Sequence, residues 1–146
     1  MEGFSASLIL RIDWSETDIF GHINNLAILK YAQAARVKLM EDVGLMQLFH
    51  EVKKGPTLAS IKCQFIKPLF YPGVITVHSR VELIKRTSFE LVHHICNEKG
   101  ETAARVNEII VYFDFVNKIK LPLPEKIRCK IEDLKAPGKD INEPGS

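Results

Sequence analysis

Thr17-Asp18-Ile19-Phe20-Gly21-His22-Ile23-Asn24-Asn25 is the stretch on which the reading of this chain turns. It joins a predicted strand, Leu8 to Asp13, to a predicted long helix that starts at Asn24. A carboxylate, a glycine and a histidine therefore stand just before a helix N-terminus. That end of a helix presents unbonded backbone N–H groups and roughly half a positive charge from aligned peptide dipoles. An acid or base beside an anion-stabilising helix end supplies two parts that acyl transfer requires.

Outward from the loop, the spacing predicts a helix from Asn24 to Val43, about five turns long. Asn24 or Asn25 serves as its N-cap and Gly44 as its C-cap. Leu26, Ala27, Ile28, Leu29, Ala32, Ala34, Ala35, Val37, Leu39, Met40 and Val43 cover most of the cylinder. Lys30, Gln33, Lys38 and Glu41 leave only a narrow polar stripe. A helix apolar nearly all round is a buried one. Either a sheet curls round it or a second subunit covers it.

Ser7 to Trp14 begins as an apolar run and then alternates, as a strand does. After Gly55-Pro56 come four β-rich segments: Thr57 to Lys67, Val74 to Lys85, Ser88 to Asn97 and Thr102 to Val116. Pro68, Pro72-Gly73 and Glu98 to Glu101 fall where turns are expected. The short links Arg86-Thr87 and Asn97 to Glu101 favour antiparallel hairpins. Leu121-Pro122-Leu123-Pro124 ends the sheet, and Glu125 to Leu134 reads as a short helix. Residues 1–135 form one domain, and the polar stretch 136–146, with Pro and Gly, reads as a flexible tail. The class is α+β: a strand, a long buried helix, then four antiparallel strands.

The composition fits a globular protein, 46% hydrophobic and 26% charged. A formal charge of +2 and two isolated basic pairs, Lys53-Lys54 and Lys85-Arg86, argue against nucleic acid as a partner. Cys63, Cys96 and Cys129 are far apart and odd in number, which fits reduced thiols. No apolar run approaches the ~20 residues of a membrane span. With no signal-peptide pattern near Met1, the expectation is a cytoplasmic protein. His93 and His94 point to opposite faces of a strand and cannot hold one metal together. No zinc spacing, P-loop, GxGxxG or GxSxG is present, so neither metal nor cofactor is expected.

Thr-Asp-x-x-Gly-His-x-Asn-Asn, followed by a helix reaching Ala35-Arg36, resembles the hotdog-fold acyl thioesterases. Within them it is most similar to the 4-hydroxybenzoyl-CoA thioesterase and acyl-carrier-protein thioesterase group. The resemblance runs from about Ser5 to Leu134, and includes Phe113-Asp114-Phe115 before the Leu-Pro-Leu-Pro run. It implies a five-stranded antiparallel sheet wrapped round the long central helix. It also implies a homodimer pairing two sheets edge to edge, often doubled to a homotetramer, with sites between subunits. The implied substrate is an acyl thioester of coenzyme A or of an acyl-carrier protein.

The resemblance assigns roles residue by residue. Asp18 is the nucleophile or general base against the thioester carbonyl; as a bare loop residue it would only cap a turn. The Asn25 N–H points at the thioester oxygen, beside its helix-end role. Gly21 permits a backbone angle or a close approach that a Cβ would block. His22 contacts substrate, orients Asp18 or fastens the turn. Asn24 holds the loop. Gln33 stands where many relatives carry Glu, and an amide cannot act as a general base. Its presence places the weight on Asp18. Thr57 lies on the strand expected to pass the thioester. Phe20, Phe65, Phe70 and Tyr71 are candidates for an apolar pocket. Two rival functions remain at this point: a non-catalytic acyl-thioester-binding protein, favoured by Gln33, and a 3-hydroxyacyl thioester dehydratase, favoured by His22.

Overall fold

A computed structural model describes residues 1–135; the expected tail, 136–146, lies outside the described residues. In chain order the elements are β1 (Ala6–Arg11), a 3-10 turn (Trp14–Glu16), α1 (Asn25–Asp42), α2 (Leu45–Val52) and β2 (Lys54–Phe65). There follow β3 (Val74–Ile84), β4 (Ser88–Cys96), β5 (Thr102–Asp114), β6 (Ile119–Lys120) and α3 (Glu125–Glu132). The sheet runs β1-β3-β4-β5-β2 with every pairing antiparallel. The expected five strands are present, and β6 adds a two-residue sixth beside β5. Among the described residues no helix is long and apolar enough to cross a membrane.

Two short elements were not legible as periodic patterns. Gly44, at φ +88°, ends α1 as expected, and the chain then starts α2 at once. At eight residues, α2 is too short for its periodicity to stand out, and its folding depends on packing. It lies against the start of β2, where a Cβ on Gly55 would come within 2.9 Å of Phe49 Cβ. β6 forms because Asp114 Oδ1 accepts the N–H groups of Val116 and Asn117 and folds the chain back.

Two apolar clusters fill the space between α1 and the sheet. Around the first half of α1, Ala27, Ile28, Tyr31, Ala32 and Ala35 meet Ile75, Val77, Ile95 and Val106. Around the second half, Leu39, Met40 and Val43 meet Val81, Phe89, Leu91, Ile110 and Ile127. The alanines let the helix axis approach the strands closely. Between the clusters lies a polar layer at successive inward positions of three neighbouring strands. Ser79 sits between Val77 and Val81, His93 between Leu91 and Ile95, and Glu108 between Val106 and Ile110. His93 Nδ1 is 2.6 Å from Ser79 Oγ, and its Nε2 is 2.7 Å from Glu108 Oε1. Arg36 reaches down from α1 and donates to Glu108 Oε2. A single proton on His93 satisfies the chain: Nε2–H donates to the carboxylate, and Nδ1 accepts the serine hydroxyl.

The opposite face of α1 is open. Leu26, Lys30, Gln33 and Val37, spaced as one stripe of a helix, are all exposed. β2 is an edge strand, and Leu58, Ile61 and Phe65 are exposed along it. The sheet thus curls round only one side of the helix.

Replacing Arg36 with Met leaves the Glu108 carboxylate buried without its cation. Breaking a buried pair in this way is expected to lower stability by about 3 kcal/mol. The Arg36→Met, Glu108→Gln double variant should recover part of that loss; urea denaturation of both measures it.

Candidate active site

The loop before α1 is built by backbone geometry first. Asp18 N–H donates to His22 O at 2.7 Å, Gly21 N–H donates to Asp18 O at 3.1 Å, and Thr17 pairs with Ile23 as a one-rung antiparallel bridge. Gly21 takes φ +79°, and a Cβ there would meet nothing within 4 Å. Of the two reasons expected for glycine, the backbone angle is the one that applies, and close approach is not. Asn24 is the N-cap of α1, its Oδ1 accepting the Ala27 N–H at 2.8 Å. It also ties the loop down, since its own N–H donates to Glu16 O at 2.8 Å.

Asp18 divides its two oxygens between structure and solvent. Oδ1 accepts the N–H groups of Phe20, at 2.8 Å, and His22, at 3.0 Å. Among the described residues Oδ2 makes no hydrogen bond. The turn-capping role and a chemical role are therefore compatible: one oxygen fixes the carboxylate and the other stays available. The N–H groups of Asn25 and Leu26, at the first turn of α1, have no acceptor among the described residues.

Asp18, His22 and Asn25 line one cavity of about 280 Å³. Ile28 and Ala103 close its floor, and Phe65, Ile66 and Lys67 arrive from the end of β2. Asp18, the first residue of α1 and apolar side chains thus line one space. The His22 ring packs edge-on against Phe70, with centroids 5.2 Å apart. The next carboxylate along the loop, Glu16, is engaged elsewhere: its Oε1 accepts from Tyr31 Oη at 2.6 Å and from the Asp13 N–H at 3.0 Å. Burial, and then the Glu16 carboxylate, push the Tyr31 phenol well above the ordinary tyrosine range. Its proton is held in the bond that anchors the loop to α1.

Two of the residues singled out from the sequence lie elsewhere in the chain. Gln33 is exposed on the open stripe of α1, about 12 Å along the helix from Asn25. Thr57 lines a separate cavity of about 350 Å³ with Arg36, Val37 and Met40. It is roughly 27 Å along β2 from Phe65. Of the aromatic candidates, Phe65 lines the Asp18 cavity and Phe70 a neighbouring one, whereas Phe20 and Tyr71 are exposed and line neither. Ile66 and Lys67 were missed. They sit at a strand end more than forty residues after the loop, and only sheet closure brings them to it.

One sheet curled on a single long helix, with a carboxylate-bearing loop at that helix's N-terminus, is the hotdog fold of the acyl thioesterases. The chain belongs to the thioesterase-like superfamily, whose match spans residues 12–131. Among curated proteins it is similar to a protein of Aquifex aeolicus named "Putative esterase", 26% identical over 89 residues, covering 60% of this chain and 70% of that one. Among solved structures it is similar to a thioesterase from Thermus thermophilus complexed with coenzyme A and zinc. That likeness has a TM-score of 0.80 at 25% identity and covers 92% of this chain and 96% of the other. A 1,4-dihydroxy-2-naphthoyl-CoA thioesterase from Synechocystis shares the fold, with a TM-score of 0.78 at 18% identity over 88% of this chain and 96% of that one.

Gly21→Ala is expected to lower stability by about 1 kcal/mol through the left-handed backbone alone, because the space is open. Gly21→Asn should lose less, since Asn tolerates that conformation. Thermal or urea unfolding of the two variants checks the order.

Proposed function

We propose that the protein hydrolyses acyl thioesters of coenzyme A or of an acyl-carrier protein at the Asp18 cavity. The observation that carries this reading is that Asp18, whose Oδ2 has no partner among the described residues, lines the same cavity as Asn25, whose N–H at the start of α1 is likewise unpaired among them. The thioester carbonyl oxygen accepts from the Asn25 N–H, which stabilises the charge it gains on attack. Asp18 Oδ2 removes a proton from water, whose oxygen bonds to the carbonyl carbon, or itself forms that bond. The carbon–sulfur bond then breaks, and the thiolate leaves and takes up the proton that Asp18 removed from water. Where Asp18 itself attacks, the acyl group is left on it as a mixed anhydride. A water hydrolyses that anhydride, freeing the carboxylate and supplying the thiolate's proton. His22 borders the reacting group, Gly21 gives the loop its left-handed turn, and Asn24 keeps the loop against the helix. Coenzyme A as carrier is supported by the Thermus relative, whose structure contains it.

A second copy of the chain completes the site in this reading. Among the described residues β2 offers an unpaired edge twelve residues long, on the sheet that packs against α1. Symmetric pairing of one strand edge with itself is antiparallel. Pairing centred on Ile61 sets Thr57 across from Phe65 of the partner subunit, and so carries Thr57 and the Gln33 stripe toward the partner's loop. Gln33, as an amide, then hydrogen-bonds water or the carbonyl but takes no proton.

Asp18→Asn is expected to lower kcat for thiol release from acyl-CoA by about 10²–10⁴-fold with the fold intact. Wild-type rates in that variant would remove Asp18 from its role. Absence of thiol release by the wild type across short, long and aromatic acyl groups, with binding retained, would favour the acyl-thioester-binding reading.

Ile61→Asp places a charge in the middle of the β2 edge. Sedimentation should show a shift from dimer to monomer, with a parallel loss of turnover. An active monomer would refute the shared site.

A further inference from the structure

The Asp18 cavity has a neighbour on the side of the β2–β3 connection. Lys67, Pro68 and Leu69 line it and also line a second cavity of about 400 Å³, between the β2–β3 connection and the β4–β5 turn. Half of this second cavity's lining is apolar: Ile12, Pro68, Leu69, Phe70, Pro72 and Val74. Its charged members are two amines, Lys67 and Lys99, and two carboxylates, Glu98 and Glu101. Lys67 Nζ is bonded to Glu101 at 2.6 Å, and Glu98 Oε1 accepts the Val74 N–H at 2.9 Å. The lining therefore holds no net charge.

We infer that this second cavity receives the acyl group of the substrate and selects for apolar acyl groups extended enough to cross Pro68 and Leu69. The inference rests on the thioesterase reading above. A thioester bound with its carbonyl at Asn25 has two arms, and the lining of the Asp18 cavity offers two sides toward which they can be directed. One side holds Phe65 and Ile66 at the β2 edge, and the other holds Pro68 and Leu69. An apolar arm gains roughly 25 cal/mol for each Å² it removes from water against the second cavity's walls. A phosphorylated arm gains less there: Lys67, shared by both cavities, is already paired with Glu101, and the lining's two carboxylates balance its two amines. The carrier arm accordingly leaves by the β2 edge. Short acyl groups such as acetyl end inside the Asp18 cavity and do not sense the second one.

Val74 tests this because it is exposed, at the start of β3, and its hydrogen bond to Glu98 uses the backbone and survives substitution. Val74→Trp fills the second cavity. The expected result is a decrease of about tenfold or more in kcat/KM for decanoyl-CoA, with acetyl-CoA unchanged within about twofold. Val74→Ala should leave acetyl-CoA unchanged and move the preferred chain length upward. Binding of S-decyl-coenzyme A, a thioether that cannot be hydrolysed, reads the pocket without turnover and should weaken by a similar factor in Val74→Trp. Equal losses for decanoyl and acetyl groups, or unchanged decanoyl turnover and thioether binding in Val74→Trp, would overturn the assignment. Thioether binding that weakens as expected, in a wild type that cleaves no thioester, would sink the hydrolase reading and uphold the pocket.

Discussion

The seat of α1 on the sheet rests on one buried chain of hydrogen bonds, from Arg36 through Glu108 and His93 to Ser79. Apolar contact alone would let a helix lined with alanines slide or rotate, because such contact is non-directional. The guanidinium on Glu108 removes that freedom. Misplacing it leaves a carboxylate fully buried and unpaired, which is far more unfavourable than losing a few methyl contacts. One residue from each of three adjacent strands contributes, so the layer also locks β3, β4 and β5 to one another. The position of the helix N-terminus, and with it the free N–H groups at Asn25, follows from a contact three turns further along the same helix.

At the N-terminal end the same logic is applied to the loop. Tyr31, on α1, holds Glu16; Glu16 O holds the Asn24 N–H; and Asn24 caps the helix. Asp18 is fixed through one oxygen by two backbone N–H groups. A carboxylate held on one side only is oriented without being neutralised by a cation. That arrangement suits an acid that must still act on a water or a carbonyl.

Among the described residues both the β2 edge and the Leu26-to-Val37 stripe of α1 are open. These lie on the same flank as the Asp18 cavity, so completing the sheet and completing the site become one event in the proposed dimer. The opposite wall of that cavity, toward Pro68 and Leu69, is built within one chain. The two sides of the reacting group thus answer to different constraints: one to assembly, the other to the length and apolar character of what enters.

The sequence by itself determined the α+β class, the long helix and its capping asparagine, the four later strands, and the loop from Asp18 to Asn25. These are set by local periodicity and by turn and cap residues acting over a few positions. His93 and His94 on opposite faces were legible for the same reason, and His93 is in the core while His94 is not. Tertiary structure alone decided the rest. Glu108 and Ser79 read as ordinary strand residues until the register places them one bond from His93. Lys67 and Ile66 reach the Asp18 cavity only through sheet closure. Gln33 and Thr57 fall outside that cavity in the single chain because a helix rises about 1.5 Å per residue and a strand about 3.4 Å. Proximity across strands is set by pairing register and helix seat, and neither is written in any short window of sequence.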